Sequence, residues 1–213
     1  MRKSKLFRKI GEKLGLRVKE KIELGYQDTR FPEDQFELIS KRIETMRVDS
    51  IFEAGCNQGL LLRRFKLQDK FCVGLDLDTY WESSTKNAAL GVYKVDEDLI
   101  KKLPNFDCVL LLSVHHQLVR FWGEEKAKHA VKSLYERSNQ IFFIEFSARA
   151  KKYGYEMNSC FLDNDPKSIL EYAHSWLDSA GIHGAEFLGT TRENPPKEPY
   201  RYLFCAERKR EST

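Results

Sequence analysis

Glu53, Gly55 and Gly59 stand in the run Ile51-Phe-Glu-Ala-Gly-Cys-Asn-Gln-Gly59, an apolar rise that meets an acid and then a glycine-rich turn. A pyrophosphate site spaces its glycines G-x-G-x-x-G and aims a helix N-terminus at negative charge. Here the spacing is G-x-x-x-G, and a carboxylate at Glu53 would repel phosphate. A ligand carrying an amino group and a sulfonium is attracted by that same carboxylate. Taken alone the loop says little, because any tight strand-to-helix turn favours glycine. About twenty residues later, Phe71-Cys-Val-Gly-Leu-Asp76 is a buried-strand pattern ending in an acid, the position that accepts ribose hydroxyls in doubly wound sheets. Leu77, the next residue, is a candidate to pack on one face of an adenine ring. A third acidic tip, Asp96-Glu97-Asp98, follows a strand expected at 92–95. A fourth strand over 107–114 ends in Ser113-Val-His-His116. Polar groups at successive strand ends describe a cleft at the carboxyl edge of a parallel sheet.

The elements that must position these groups follow from hydrophobic period and punctuation. Phe36, Ile39, Ile43 and Met46 recur at helical spacing, so 33–47 reads as a helix covering the sheet, after a polar connector over 25–35. Helices are expected at 60–65, 79–90, 98–103, 124–137 and 166–180, the last opened by Pro166 after Asp163-Asn-Asp165. Residues 140–146 read as a fifth buried strand. Strands at 184–190 and 200–207 have no helix between them and must pair antiparallel, since parallel neighbours need a crossover of about a dozen residues. The expected fold class is α/β: a seven-stranded, doubly wound, mostly parallel sheet with a C-terminal antiparallel hairpin, preceded by N-terminal helices. A basic helical prelude over 1–48 would pack on a ligand-binding domain over 49–213.

The run from Ile51 to about Phe146 resembles the core of class I S-adenosylmethionine-dependent methyltransferases. Glu53, Gly55 and Gly59 match that family's acidic-glycine first motif, and Asp76 matches its ribose-binding acid. Asp96-Glu97-Asp98 fall where the family contacts the adenine amino group, and Leu112-Ser-Val-His-His-Gln-Leu118 is similar to its segment after the fourth strand. The resemblance implies S-adenosylmethionine as cofactor. It implies contacts from Glu53, Gly55, Asn57, Gly59, Asp76, Leu77, Asp96, Glu97 and Ser113. The chain departs from the commonest first motif by carrying Cys56-Asn57-Gln58 between the glycines, a change that backbone contacts tolerate.

Methyl transfer from a sulfonium is an in-line displacement with a neutral leaving group, so catalysis is mostly the positioning of the acceptor. A hydroxyl acceptor must also lose a proton. His115 and His116, expected at the cleft mouth, are the candidate bases, because imidazole titrates near neutral pH. Against that stand a helix-capping role for one and a lining role for the other. Glu145, at the tip of the fifth strand, either orients an acceptor or histidine or faces outward. Tyr26, Arg30 and Trp122 are candidates to cover the site, and Lys151-Lys-Tyr-Gly-Tyr155 for an anionic acceptor; packing explains each as well. No metal-ligand constellation is expected: His129, His174 and His183 are dispersed.

The chain has 213 residues, a net charge of +4 and no apolar run longer than a strand. Five scattered cysteines without C-x-x-C pairing point to reduced thiols and, with no secretory leader in view, to a cytoplasmic compartment. Charge is uneven: residues 1–21 hold nine Lys/Arg against Glu12 and Glu20. Leu6, Ile10, Leu14, Val18 and Ile22 recur every four residues opposite that basic face. Packing on the domain, lying on an anionic membrane surface from the inner side, and gripping nucleic acid compete as readings. Gly11 and Gly15 each cost an isolated helix about 1 kcal/mol. Three functions are therefore carried forward. The first is a methyltransferase acting on a small-molecule or glycan-like acceptor. The second is an RNA methyltransferase using residues 1–22, although the Asn/Asp-Pro-Pro-Tyr/Phe motif of base-amino methylases is absent after the fourth strand. The third is a cofactor-binding protein without catalysis.

Overall fold

The computed structural model describes residues 32–57, 59–76, 88–92, 97–147, 166–191 and 201–208. Its helices are α1 (Pro32–Ile43), α2 (Leu60–Lys66), α3 (Glu97–Lys102), α4 (His115–Trp122), α5 (Glu124–Glu136) and α6 (Pro166–Ser179). The strands are β1 (Ser50–Ala54), β2 (Phe71–Asp76), β3 (Ala88–Val92), β4 (Phe106–Leu111), β5 (Ser138–Ser147), β6 (Glu186–Thr191) and β7 (Arg201–Glu207). They form one mixed α/β sheet in the order β3-β2-β1-β4-β5-β7-β6. The first five strands pair in parallel, whereas β7 runs antiparallel to both β5 and β6, as the helix-free connection between the last two requires.

Both faces of this sheet are covered, which is why β4 reads as a near-continuous apolar run. On one face Phe52, Val109, Leu111, Phe142, Ile144, Phe146 and Phe204 pack against α5 and α6. Those helices present apolar stripes at helical spacing, Ala127, Ala130, Val131 and Leu134 on α5 and Ile169, Ala173, Trp176 and Leu177 on α6. On the other face Ile51, Cys72, Cys108, Leu110, Ile141, Phe143 and Leu203 pack against Ile39 and Ile43 of α1 and Leu61, Leu62 and Phe65 of α2. At the amino edge, Asp107 Oδ2 accepts bonds from the backbone N–H of Asp49 and Ser50 and from Ser50 Oγ, while Ser50 Oγ accepts one from Asp107 N. This clasp aligns β1 with β4.

Two sequence expectations are corrected. The third strand is not 92–95 after a helix over 79–90: β3 occupies Ala88–Val92, parallel to β2 with Cys72 opposite Ala88 and Asp76 opposite Val92. Ala88-Ala-Leu-Gly-Val92 has little β-branching, and pairing along a neighbouring strand overrides that weak local preference. The segment after β4 is not simply a strand-exit turn. It opens at once into α4, whose apolar Leu118 and Val119 join the core over β5. One helix, α1, precedes β1 among the described residues. The connector start, the basic segment 1–22 and its membrane or nucleic-acid expectations lie outside them.

Candidate active site

In an open parallel sheet the ligand crevice opens where strand order reverses. Here β1 and β4 are neighbours, with β2 and β3 on one side and β5 on the other. The loops leaving β1 and β4 therefore flank the crevice. The first is a chain of left-handed turns: Gly55 has φ 80°, Asn57 48° and Gly59 65°. Gly55 is required twice, since a Cβ there would also overlap Val114 Cγ2 from the opposite loop. Asn tolerates the left-handed region better than most residues. Gly55 N and Cys56 N both donate to Leu75 O at the end of β2, at 2.7 and 3.2 Å. Asn57 N donates to Asp76 Oδ2 at 2.6 Å. Gly59 N reaches Cys56 O at 2.7 Å, closing the turn into α2.

Glu53 and Asp76 thus sit at adjacent strand ends, each only 5% exposed, on either side of a loop that presents backbone groups. Burial, with the Glu53 and Asp76 charges nearby, pushes the Cys56 thiol well above its usual range. Cys56 is therefore an inert filler and not a nucleophile. Two buried carboxylates and a glycine cradle fit a cationic nucleoside ligand. They do not fit a pyrophosphate at the loop, because Glu53 would oppose its charge.

The wall across the crevice is set by Ser113, a non-glycine residue with φ 61°. Its Oγ donates to Glu145 Oε2 at 2.6 Å inside the protein. The left-handed backbone costs about 1–2 kcal/mol. A hydrogen bond to a carboxylate returns about 1.5–3 kcal/mol, so the turn holds. Glu145 itself is fully buried. Its Oε1 accepts from Gln35 Nε2 of α1 at 2.9 Å and from Thr191 Oγ1 of β6 at 2.5 Å, and Arg201 Nη1 of β7 lies 3.9 Å from Oε2. Sequence reading left open whether Glu145 faced outward; it faces inward. Alternation puts it on the same face of β5 as Ile141 and Phe143, beneath α1. A carboxylate on a core face must be partnered, and that was the available signal. Gln35, Thr191 and Arg201 carried none.

The expectation for His115 is corrected too. Both were expected at the cleft mouth, yet both are buried, His115 at 1% and His116 at 2% exposed. His115 lies in an aromatic box, its ring 4.3 Å from Phe146 and 4.5 Å, edge-on, from Trp176. Neither ring nitrogen has a hydrogen-bond partner among the described residues. Burial pushes its pKa down to about 3. A neutral imidazole packed between Phe146 of β5 and Trp176 of α6 is a core residue. Trp122 is partly buried on the same core. Glu97 opens α3 and Asp98 is exposed on it. Leu77, Asp96, Tyr26, Arg30 and Lys151–Tyr155 lie outside the described residues. Among those described, no three His, Cys, Asp or Glu are grouped to hold a metal ion.

No protein family matches the chain, and no curated protein does. Solved structures do. Magnesium protoporphyrin IX methyltransferase (ChlM) from Synechocystis PCC 6803 with bound S-adenosylhomocysteine matches at a TM-score of 0.54 and 15% identity, over 97% of this chain and 95% of that one. The fold is that of the class I S-adenosylmethionine-dependent methyltransferases. The bifunctional kinase-methyltransferase WbdD matches at a TM-score of 0.60 and 18% identity, over 83% of this chain. The chain spans only 40% of WbdD. The methyltransferase domain of bacterial CtHen1-CN matches at 0.53 and 15% identity, over 82% of this chain and 98% of that one. At such identities the likeness speaks for the fold. In this methyltransferase fold the crevice between the β1 and β4 loops is the expected ligand site, at the switch point of the sheet. No helix of the described residues is long and apolar enough to cross a membrane.

Proposed function

We propose that this chain is a methyltransferase that takes its methyl group from S-adenosylmethionine and passes it to a small-molecule or glycan-like acceptor. The observation that carries the reading is the paired carboxylates of Glu53 and Asp76, both buried and both flanking the left-handed Gly55–Gly59 loop. When bound, S-adenosylmethionine supplies a methyl on a sulfonium whose sulfur departs neutral. Glu53 would hold the positively charged amino end of the donor. Asp76 would accept from the ribose hydroxyls while its Oδ2 keeps the loop closed through Asn57 N. The loop backbone would line the donor, with Val114 facing it from the other side. Leu77, Asp96 and Glu97 remain the proposed adenine contacts. Rate enhancement then rests on holding donor and acceptor in line. The reading assigns no proton transfer to His115, whose buried ring stays neutral. A small acceptor is supported by the match along nearly the whole of both chains with a porphyrin methyltransferase.

Calorimetric titration with S-adenosylhomocysteine tests the reading. The native chain should bind. Asp76→Ala should lose about 1–3 kcal/mol of binding free energy, the cost of leaving hydroxyls without their acceptor. A native protein that binds neither S-adenosylmethionine nor its product would end the proposal. A methyl-label assay on cell extract, with mass spectrometry of the product, would identify the acceptor.

A further inference from the structure

We propose that Glu145 is a positioning residue for the methyl donor, acting through the backbone of Ser113; this rests on the donor reading above. Four observations lead to it. Ser113 is held at φ 61°, where a serine does not settle without help. The help is its 2.6 Å bond to Glu145 Oε2, buried in the protein. The next residue, Val114, fills the space a side chain at Gly55 would need, so the turn at Ser113 sets how closely one wall of the crevice approaches the donor loop. Glu145 in turn is anchored from three other elements, by Gln35 of α1, Thr191 of β6 and Arg201 of β7. The carboxylate therefore ties the width of the donor crevice to α1 and to the C-terminal hairpin. Its oxygens meet these protein groups, so its influence on the donor would pass through them.

The chain of cause runs Glu145, Ser113 turn, Val114, Gly55 loop, and it makes a prediction that simple structural support does not. If Glu145 matters to the donor only by holding a left-handed turn, its importance must vanish once that turn needs no holding. Glycine at 113 adopts φ 61° without strain; alanine keeps the strain and loses the bond.

The test is a set of S-adenosylhomocysteine titrations on the full chain at a temperature below every variant's unfolding, with thermal midpoints recorded in parallel. Ser113→Ala should weaken binding by about tenfold or more, and Ser113→Gly by several-fold less than Ala, because only alanine must carry the strain of the turn. Glu145→Gln, which trades a charged acceptor for a neutral one, should weaken binding about fivefold in the native background and add nothing measurable to Ser113→Gly. The midpoint should drop with Glu145→Gln in both backgrounds, since the Arg201 contact is lost either way. Equal losses for Ala and Gly at 113 would overturn the proposal. So would a Glu145→Gln loss of the same size in both backgrounds. Should Ser113→Ala not fold, the Glu145→Gln and Ser113→Gly cycle decides alone. Native protein that fails to bind would sink the donor reading instead, and that result is read first.

Discussion

The two halves of the carboxyl edge use the same residue type to opposite ends. On the β1–β2 side, Glu53 and Asp76 stand at strand tips beside a loop of left-handed turns, with Asp76 spending one oxygen on Asn57 N. On the β5–β7 side, Glu145 is sealed beneath α1 and its oxygens are taken up by Gln35, Ser113, Thr191 and Arg201. A carboxylate at a loop that must open to a ligand can serve that ligand. One enclosed by three elements can serve a ligand only through the frame it holds. Burial of an acid therefore does not mark a site; what its oxygens meet does.

The sharpest way to break this contrast is Arg201→Met. It leaves Glu145 in a fully buried position without its cation and should lower stability by about 3 kcal/mol. The readout is the denaturant midpoint at unchanged m-value. A variant as stable as the native chain would mean that the hub does not depend on charge. Next comes Gly55→Ala, aimed at the β1–β2 side. Its Cβ meets Val114 and its backbone is held at φ 80°. Affinity for S-adenosylhomocysteine should fall on the order of a hundredfold, about 2.7 kcal/mol, in calorimetry. Native-like binding would move the donor out of the crevice between β1 and β4.

A third test concerns His115, which lies just past both regions and whose effect is spread over several pH units. Its folded pKa is lowered to about 3 by burial, below the unfolded value of 6.5. From pH 6.5 down to about 3 the unfolded chain takes up a proton that the folded chain refuses. Stability therefore falls with pH across that window, by at most about 1.4 kcal/mol per pH unit. His115→Phe should flatten this slope between about pH 6 and pH 4 in denaturant titrations. An unchanged slope would show that the ring reaches water and titrates normally in the folded protein.

Much of the β1–β2 side was legible along the chain because its parts are local. The acid, the two glycines and the second acid lie within one β-α-β stretch, and glycine spacing reports backbone conformation directly. The β4 and β5 runs were legible because burial on both faces leaves them mostly apolar, without a regular polar alternation. Where the reading slipped, tertiary contact had overruled a weak local signal. Ala88-Ala-Leu-Gly-Val92 carries helix-friendly residues and became a strand only by pairing with β2. His115 and His116 looked exposed because they follow a strand end. The direction of α4 turned His115 into the box formed by Phe146 and Trp176. Glu145 showed as a lone acid in Ile-Phe-Phe-Ile-Glu-Phe, yet its partners lie as far away as Gln35 and Arg201, and no spacing rule joins them.

By itself the order of residues determined the strand-loop-helix unit around Glu53–Gly59, the acid at Asp76 and the antiparallel closing pair. Each depends on backbone preferences or connection lengths that are written over a few neighbouring positions. Only the tertiary structure decided that Val114 abuts Gly55, that Glu145 is enclosed and that His115 is dry. Those outcomes depend on which faces meet when helices settle on a twisted sheet, and side-chain packing between distant segments leaves no mark on either segment alone.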